Sequence, residues 1–152
     1  YKRQTKVQAA VGLVQLAKLD GFIAARRRLA KQRDEMLAGL EGVALPCEPE
    51  DCYHSYYLYT CLVCDAWAGE QRDAIMRRME EEFQVKCLVA NPPAYESRRI
   101  LREHTAGQRL PRSENIGRRI ICLPIHPAMS DADNAFIAAA FIECVESLRS
   151  DG

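Results

Sequence analysis

Neither a G-x-G-x-x-G nor a G-x-x-x-x-G-K-[ST] stretch occurs in the 152 residues, so no glycine-rich loop is offered to a phosphate. Net charge is also missing. The 21 basic and 21 acidic residues cancel, leaving no overall field to draw in nucleic acid or an anionic membrane. No apolar run approaches the roughly 20 residues that cross a bilayer. Histidine is scarce: His54, His104 and His126 lie far apart, outside any H-E-x-x-H arrangement. Three consecutive acids, Glu80, Glu81 and Glu82, fan outward from a helix and do not form the facing pair that glycosidase acid–base chemistry needs.

What is present is an ordinary globular composition, 48% apolar or aromatic and 28% charged. The first residue is Tyr1 rather than methionine, and helical periodicity begins almost at once, so we expect a trimmed or partial chain. Seven cysteines, an odd number in a chain with a normal core, predict reduced thiols and a cytoplasmic location. Cys61 and Cys64 form a C-x-x-C spacing. On a strand, residues three apart point to opposite faces, and no second cysteine pair completes four converging zinc ligands. The thiols therefore read as small hydrophobes, with no metal site. A Cys–His hydrolase remains open, because a thiol could meet His54 or His126 in space.

Residues 4–40 read as a long helix. Val7, Val11 and Val14 with Leu13, Leu16 and Leu19 predict heavy burial of its first turns, and Gly21 is the expected break. Beyond it Phe22, Ala25, Leu29, Met36 and Leu40 form one stripe, with Arg26, Arg27 and Arg28 on a solvated face. Aromatic-rich residues 53–64 predict a strand, Asp65 a helix N-cap, and residues 68–83 a helix with the stripe Arg72, Ile75, Met76, Met79 and Phe83. A short strand over 84–90, a polar helix over 95–104, a loop over 107–113, a helix from Ser113 to Arg118 and a strand over 119–124 follow. Ser130 and Asp133 resemble a capping box that opens a last helix through Leu148. The order predicts an α+β fold: a small, mostly antiparallel sheet of about three strands, with a long N-terminal helix and further helices on one face.

Two stretches carry a family resemblance. The segment Arg3-Gln4-Thr5-Lys6-Val7-Gln8-Ala9-Ala10-Val11-Gly12-Leu13-Val14-Gln15-Leu16 is similar to the R-x-T-x-[IV]-Q-A-A-x-G-x-x-Q-L pattern of the DegT–DnrJ sugar aminotransferases. Its continuation, Leu19 to Ile23 with Arg26-Arg27, resembles L-x-x-F-I-x-x-R-R. Downstream, Leu110-Pro111 with Glu114, Leu123-Pro124-Ile125-His126-Pro127 and Ser130 to Asp133 match L-P-x-x-E, L-P-x-H-P and L-S-x-x-D in the same order.

The resemblance implies the small C-terminal domain, residues 1–152, of a fold-type-I enzyme whose large domain holds pyridoxal phosphate on a lysine. It implies a reaction moving an amino group from glutamate or glutamine onto a keto sugar, commonly nucleotide-linked, in a homo-oligomer. Arg3 is the implied cofactor-proximal residue, although Tyr1 stands where the family has a phosphate-binding asparagine. Tyr95 takes the place of the histidine in the family's P-L-H, and His126 that of the L-P-x-H-P histidine; these are the implied substrate contacts. None of Lys2, Lys6, Lys18, Lys31 and Lys86 has the cofactor-lysine context, so no catalytic residue is assigned. The chain alone is expected to bind no cofactor and to need the large domain as partner. The alternative is a non-catalytic binding or dimerisation module that keeps the fold.

Overall fold

The computed structural model describes residues 5–90, 92–105 and 107–150. Helix α1 (Lys6–Leu16) opens on a reciprocal cap: the Gln8 backbone N–H donates to Thr5 Oγ at 3.2 Å, and Gln8 Oε1 accepts from the Thr5 N–H at 2.9 Å. Helix α2 (Leu19–Leu37) follows at a 48° bend. The break falls at Ala17–Lys18 and not at Gly21, which lies inside α2. There the Lys18 N–H donates to the Gln15 carbonyl at 3.0 Å, a tightened last turn that redirects the chain.

The sheet order is β1 (Val43–Ala44), β2 (Tyr59–Val63), β3 (Ile120–Leu123), antiparallel throughout. Tyr59 pairs with Leu123 and Leu62 with Ile120. Tyr59, Cys61 and Val63 alternate inward along β2, as the pleat requires. The expected strand over 53–64 is shorter than its composition suggests. Tyr56 turns the chain at φ 47°, its N–H donating to His54 Nδ1 at 2.9 Å, and among the described residues the ladder of this segment begins only at Tyr59. The strand expected over 84–90 is reduced to one bridge, Leu88 to Cys122. The third strand is β1, too short to show any alternation in sequence.

After a 3-10 turn at Asp65–Trp67, helix α3 (Glu70–Phe83) starts behind Gly69 at φ 82°. Asp65 does not cap it; its carboxylate accepts from Asn115 Nδ2 at 2.8 Å and Arg119 Nη1 at 3.0 Å. Two short helices, α4 (Ala94–Ser97) and α5 (Arg99–His104), precede α6 (Pro111–Arg119). Proline at its first turn starts α6 earlier than Ser113. Helix α7 (Asp131–Ser150) begins on the expected box: Ser130 Oγ accepts from the Asp133 N–H at 3.1 Å and donates to Asp133 Oδ2 at 2.6 Å.

Helices α2 and α3 each pack on α7. Between helices and sheet lies the core, with Leu29, Leu37, Tyr59, Val63, Ile75, Met79, Ile121, Phe141 and Val145 nearly or fully removed from water. Each such side chain stabilises by about 1.5–3 kcal/mol relative to exposure. The α3 stripe faces inward as its spacing predicts, whereas Phe136 on α7 is half exposed, edge-on to Phe83. Helix α1 departs from expectation. It buries no residue, and Val7 (74% exposed) and Leu13 (70%) stand in water because nothing among the described residues covers them. Among the described residues, no single helix is long and apolar enough to cross a bilayer.

Candidate functional site

Glu114 is the hub of the best-organised polar cluster. The L-P-x-x-E spelling explains it: proline sets the first turn of α6, and a glutamate one turn later reaches back to the open end. Its carboxylate accepts from Arg109 Nη2 at 2.7 Å and Nε at 3.0 Å, from the Tyr95 hydroxyl at 2.7 Å and from the Leu110 N–H at 3.1 Å. The Arg109 guanidinium, then the hydroxyl and the amide, hold Glu114 down to about 2. Burial and the Glu114 carboxylate push the Tyr95 phenol upward. Tyr95 thus becomes a fixed wall of a cavity of about 300 Å³ that Glu96, Arg102, Thr105, Gly107 and Gln108 complete.

His126 lies elsewhere. It is exposed just past β3 and borders a different cavity of about 280 Å³, mostly apolar, with Tyr57, Lys86, Leu88 and Cys122. The structure therefore does not bring Tyr95 and His126 into one cavity. Arg3 lies outside the described residues.

Of the arginine triplet, Arg28 is exposed as expected, whereas Arg26 and Arg27 are half-buried. Arg27 Nη1 donates to Glu48 at 2.8 and 3.0 Å and to the His54 carbonyl at 2.8 Å, with its guanidinium 4.2 Å from the Tyr53 ring centroid. Arg28 pairs with Asp131, and Arg26 Nε is buried without a partner. These side chains tie α2 to the loop before β2 and to α7. Sequence periodicity could not show it, because their acceptors come from distant segments.

Deeper in the core sits Arg33, fully buried. Its Nη2 donates to Asn134 Oδ1 at 2.6 Å, and its guanidinium lies 4.9 Å from the Tyr59 ring centroid. Burial pulls its pKa down. Tyr59 in turn donates to Asp34 Oδ1 at 2.5 Å, and burial raises the Asp34 carboxyl above its ordinary range. Nothing in the sequence pattern singles out Arg33, a charge on the apolar side of a helix.

Pyridoxal phosphate needs a lysine amine enclosed where a Schiff base survives water. Lys6, Lys18, Lys31 and Lys86 are all exposed, and Lys86 is ion-paired with Glu80 at 3.3 Å. The described residues do not fit that requirement. Burial pushes the Cys61 and Cys87 thiols up to about 12 and Cys144 to about 11, and it also raises Cys122, which lines the cavity with His126, so these four thiols are poorly ionised. Among the described residues, no group of three or more His, Cys, Asp or Glu could hold a metal ion.

Comparison with known proteins gives this geometry its context. The dTDP-4-dehydro-2,3,6-trideoxy-D-glucose 4-aminotransferase of Saccharopolyspora spinosa is 34% identical over 139 residues, 91% of this chain and 34% of that enzyme. The aminotransferase TlmJ from Streptoalloteichus hindustanus superposes with a TM-score of 0.82 at 27% identity, over 93% of this chain and 36% of its own. S. venezuelae DesV, solved in complex with a ketimine intermediate, gives 0.83 at 27% identity, over 95% and 37%. The chain thus spans about a third of the length of these relatives. The sequence model of the DegT/DnrJ/EryC1/StrS aminotransferases matches residues 2–142, nearly end to end, and this chain belongs to that family.

Proposed function

We propose that the chain is a single domain, the small C-terminal part of a cytoplasmic, homo-oligomeric pyridoxal-phosphate enzyme. The enzyme transfers an amino group from glutamate or glutamine to a nucleotide-linked keto sugar. One observation carries the reading: a relative that acts on a dTDP-linked sugar matches 91% of this chain while this chain accounts for 34% of it. The remaining two thirds supply the cofactor lysine, so the chain alone does not transaminate. In the assembled enzyme Arg3 lies near the cofactor, and Tyr95 and His126 face the substrate. The exposed lysines and the bare apolar face of α1 support this division of labour.

The test is a titration of the purified chain with pyridoxal phosphate, followed by Schiff-base absorbance and by mass after borohydride reduction. Weak, unsaturable labelling spread over several lysines is expected. A stable one-to-one adduct, abolished by mutating one of Lys2, Lys6, Lys18, Lys31 or Lys86, would sink the proposal. The intact mass of the native gene product separates this reading from a free-standing dimerisation module: the enzyme reading requires a much longer polypeptide or a co-encoded large domain.

A further inference from the structure

Five of the seven cysteines are buried or half-buried, and two are not. Cys61, Cys87, Cys122 and Cys144 lie in the interior and Cys64 is half-buried, whereas Cys47 and Cys52 stand in water. These two depart from the expectation that the thiols serve as small hydrophobes. Both lie on the connection between β1 and β2, in Cys47-Glu48-Pro49-Glu50-Asp51-Cys52.

That connection is folded back on itself. A turn at Glu50–Asp51 lets the Cys52 N–H donate to the Pro49 carbonyl at 3.0 Å. The base of the loop is pinned by α2. Arg27 Nη1 donates to the Glu48 carboxylate at 2.8 Å and to the His54 carbonyl at 2.8 Å, so one nitrogen gathers both ends of residues 48–54. Cys47 abuts one pinned end, and Cys52 lies two residues inside the other. An extended chain would hold Cα atoms five residues apart at about 17 Å, against the roughly 4.4–6.8 Å of a disulfide. Turn and clamp together shorten that span. Charge is uneven here as well. Glu48 is committed to Arg27, but Glu50 and Asp51 are exposed and form no ion pair among the described residues.

We propose that Cys47 and Cys52 are a dithiol modification site, which small-molecule disulfides, cationic ones above all, oxidise to an intraloop disulfide. The first thiolate attacks one sulfur of the reagent, and a mixed disulfide forms as one small thiol leaves. The second thiolate attacks the protein-side sulfur of that bond, expels the second small thiol and closes Cys47 onto Cys52. The cysteines give up two electrons, the reagent accepts them, and both cysteine protons end on the small thiols. The uncommitted carboxylates of Glu50 and Asp51 draw a cationic reagent and repel an anionic one. Closure fixes the loop that holds Glu48 and Tyr53 on Arg27. Thiols at rest and a bridge under oxidising conditions make the pair a redox sensor.

Treatment of the reduced full chain with limiting cystamine, followed by intact mass, tests the assignment. Loss of two hydrogens with no retained adduct is expected. Cleavage at Glu48, Glu50 or Asp51 then leaves two peptides joined only through sulfur, which a reductant separates. Cys47→Ser and Cys52→Ser should each stop at one stable cysteamine adduct, while Cys64→Ser should close as the parent does. Cystamine should react severalfold faster than oxidised glutathione, and Glu50→Gln with Asp51→Asn should shrink that ratio severalfold. Circular dichroism confirms that each variant is folded, and mapping of the parent chain needs no variant. Adducts retained on both thiols, a bridge that includes Cys61 or Cys64, a disulfide-linked dimer as main product, or a ratio unmoved by removing the two charges would overturn the proposal. Neither cofactor nor keto sugar enters these reactions, so failure of the transamination reading leaves their outcome interpretable.

Discussion

Asn134 on α7 joins itself to α2 twice: its Oδ1 accepts from Arg33 Nη2 at 2.6 Å, and its Nδ2 donates to the Leu29 carbonyl at 3.0 Å. Arg33 and Asn134 are fully buried, and Arg33 Nε and Nη1 have no hydrogen-bond partner among the described residues. A buried guanidinium that loses a hydrogen-bond acceptor keeps its desolvation cost and forfeits the compensation. Asn134→Ala should therefore cost about 2–4 kcal/mol in urea unfolding. Arg33→Met, which removes the charge and its two orphaned nitrogens together, should lie within about 1 kcal/mol of the parent or above it. The reverse ranking would show that the arginine is a net source of stability.

Gly42 and Gly39 share a left-handed backbone, at φ 82° and 80°, but not their surroundings. A Cβ on Gly42 would lie 2.5 Å from the Trp67 ring, while one on Gly39 meets nothing within 4 Å. Gly39→Ala should cost about 1 kcal/mol of conformational strain. Gly42→Ala adds a ring displacement of about 1–3 kcal/mol and should shift the fluorescence of Trp67, the chain's one tryptophan. Equal costs and an unchanged spectrum would refute the contact.

Much of this fold is legible in the sequence where burial and period coincide. The α3 stripe of Arg72, Ile75 and Met79 and the Ser130–Asp133 cap follow from spacing, and the strand at Tyr59–Val63 from composition. What fails has a common cause, because the deciding partner is remote in sequence or is not found among the described residues. Val7, Val11 and Val14 spell burial, yet nothing among the described residues covers them. Asp65 spells a helix cap, yet Arg119 and Asn115 claim its carboxylate. At the site, Glu114 is visible through L-P-x-x-E, whereas its bond to Tyr95, 19 residues away, is not.

The Glu114 cluster predicts a pH signature. Its folded-state value is near 2 against an ordinary 4.5, so the ionised form is favoured by folding. The stabilisation is complete above about 4.5 and is lost as pH falls through about 2. Glu114→Gln should melt below the parent at pH 6, and the gap between their midpoints should close as pH drops through that window. A gap independent of pH would mean that packing, and not charge, sets the contribution of Glu114.

The bare apolar surface of α1 sets the behaviour of the chain in solution. Val7, Val11 and Val14 recur at helical spacing, 74%, 57% and 56% exposed, beside Leu13 and Leu16. Contiguous apolar surface of this kind drives association when its natural cover is missing. The isolated chain should self-associate, its weight-average mass by light scattering rising with concentration. Val11→Glu with Val14→Glu should restore a monomer while moving unfolding free energy by about 0.5 kcal/mol or less per site, because neither side chain is buried here. In the longer enzyme proposed above, the same pair should instead weaken the union of this domain with the rest, which limited proteolysis between them reads directly. A parent chain that stays strictly monomeric at high concentration, or a double variant that melts far below it, would place the covering surface of α1 within this chain after all.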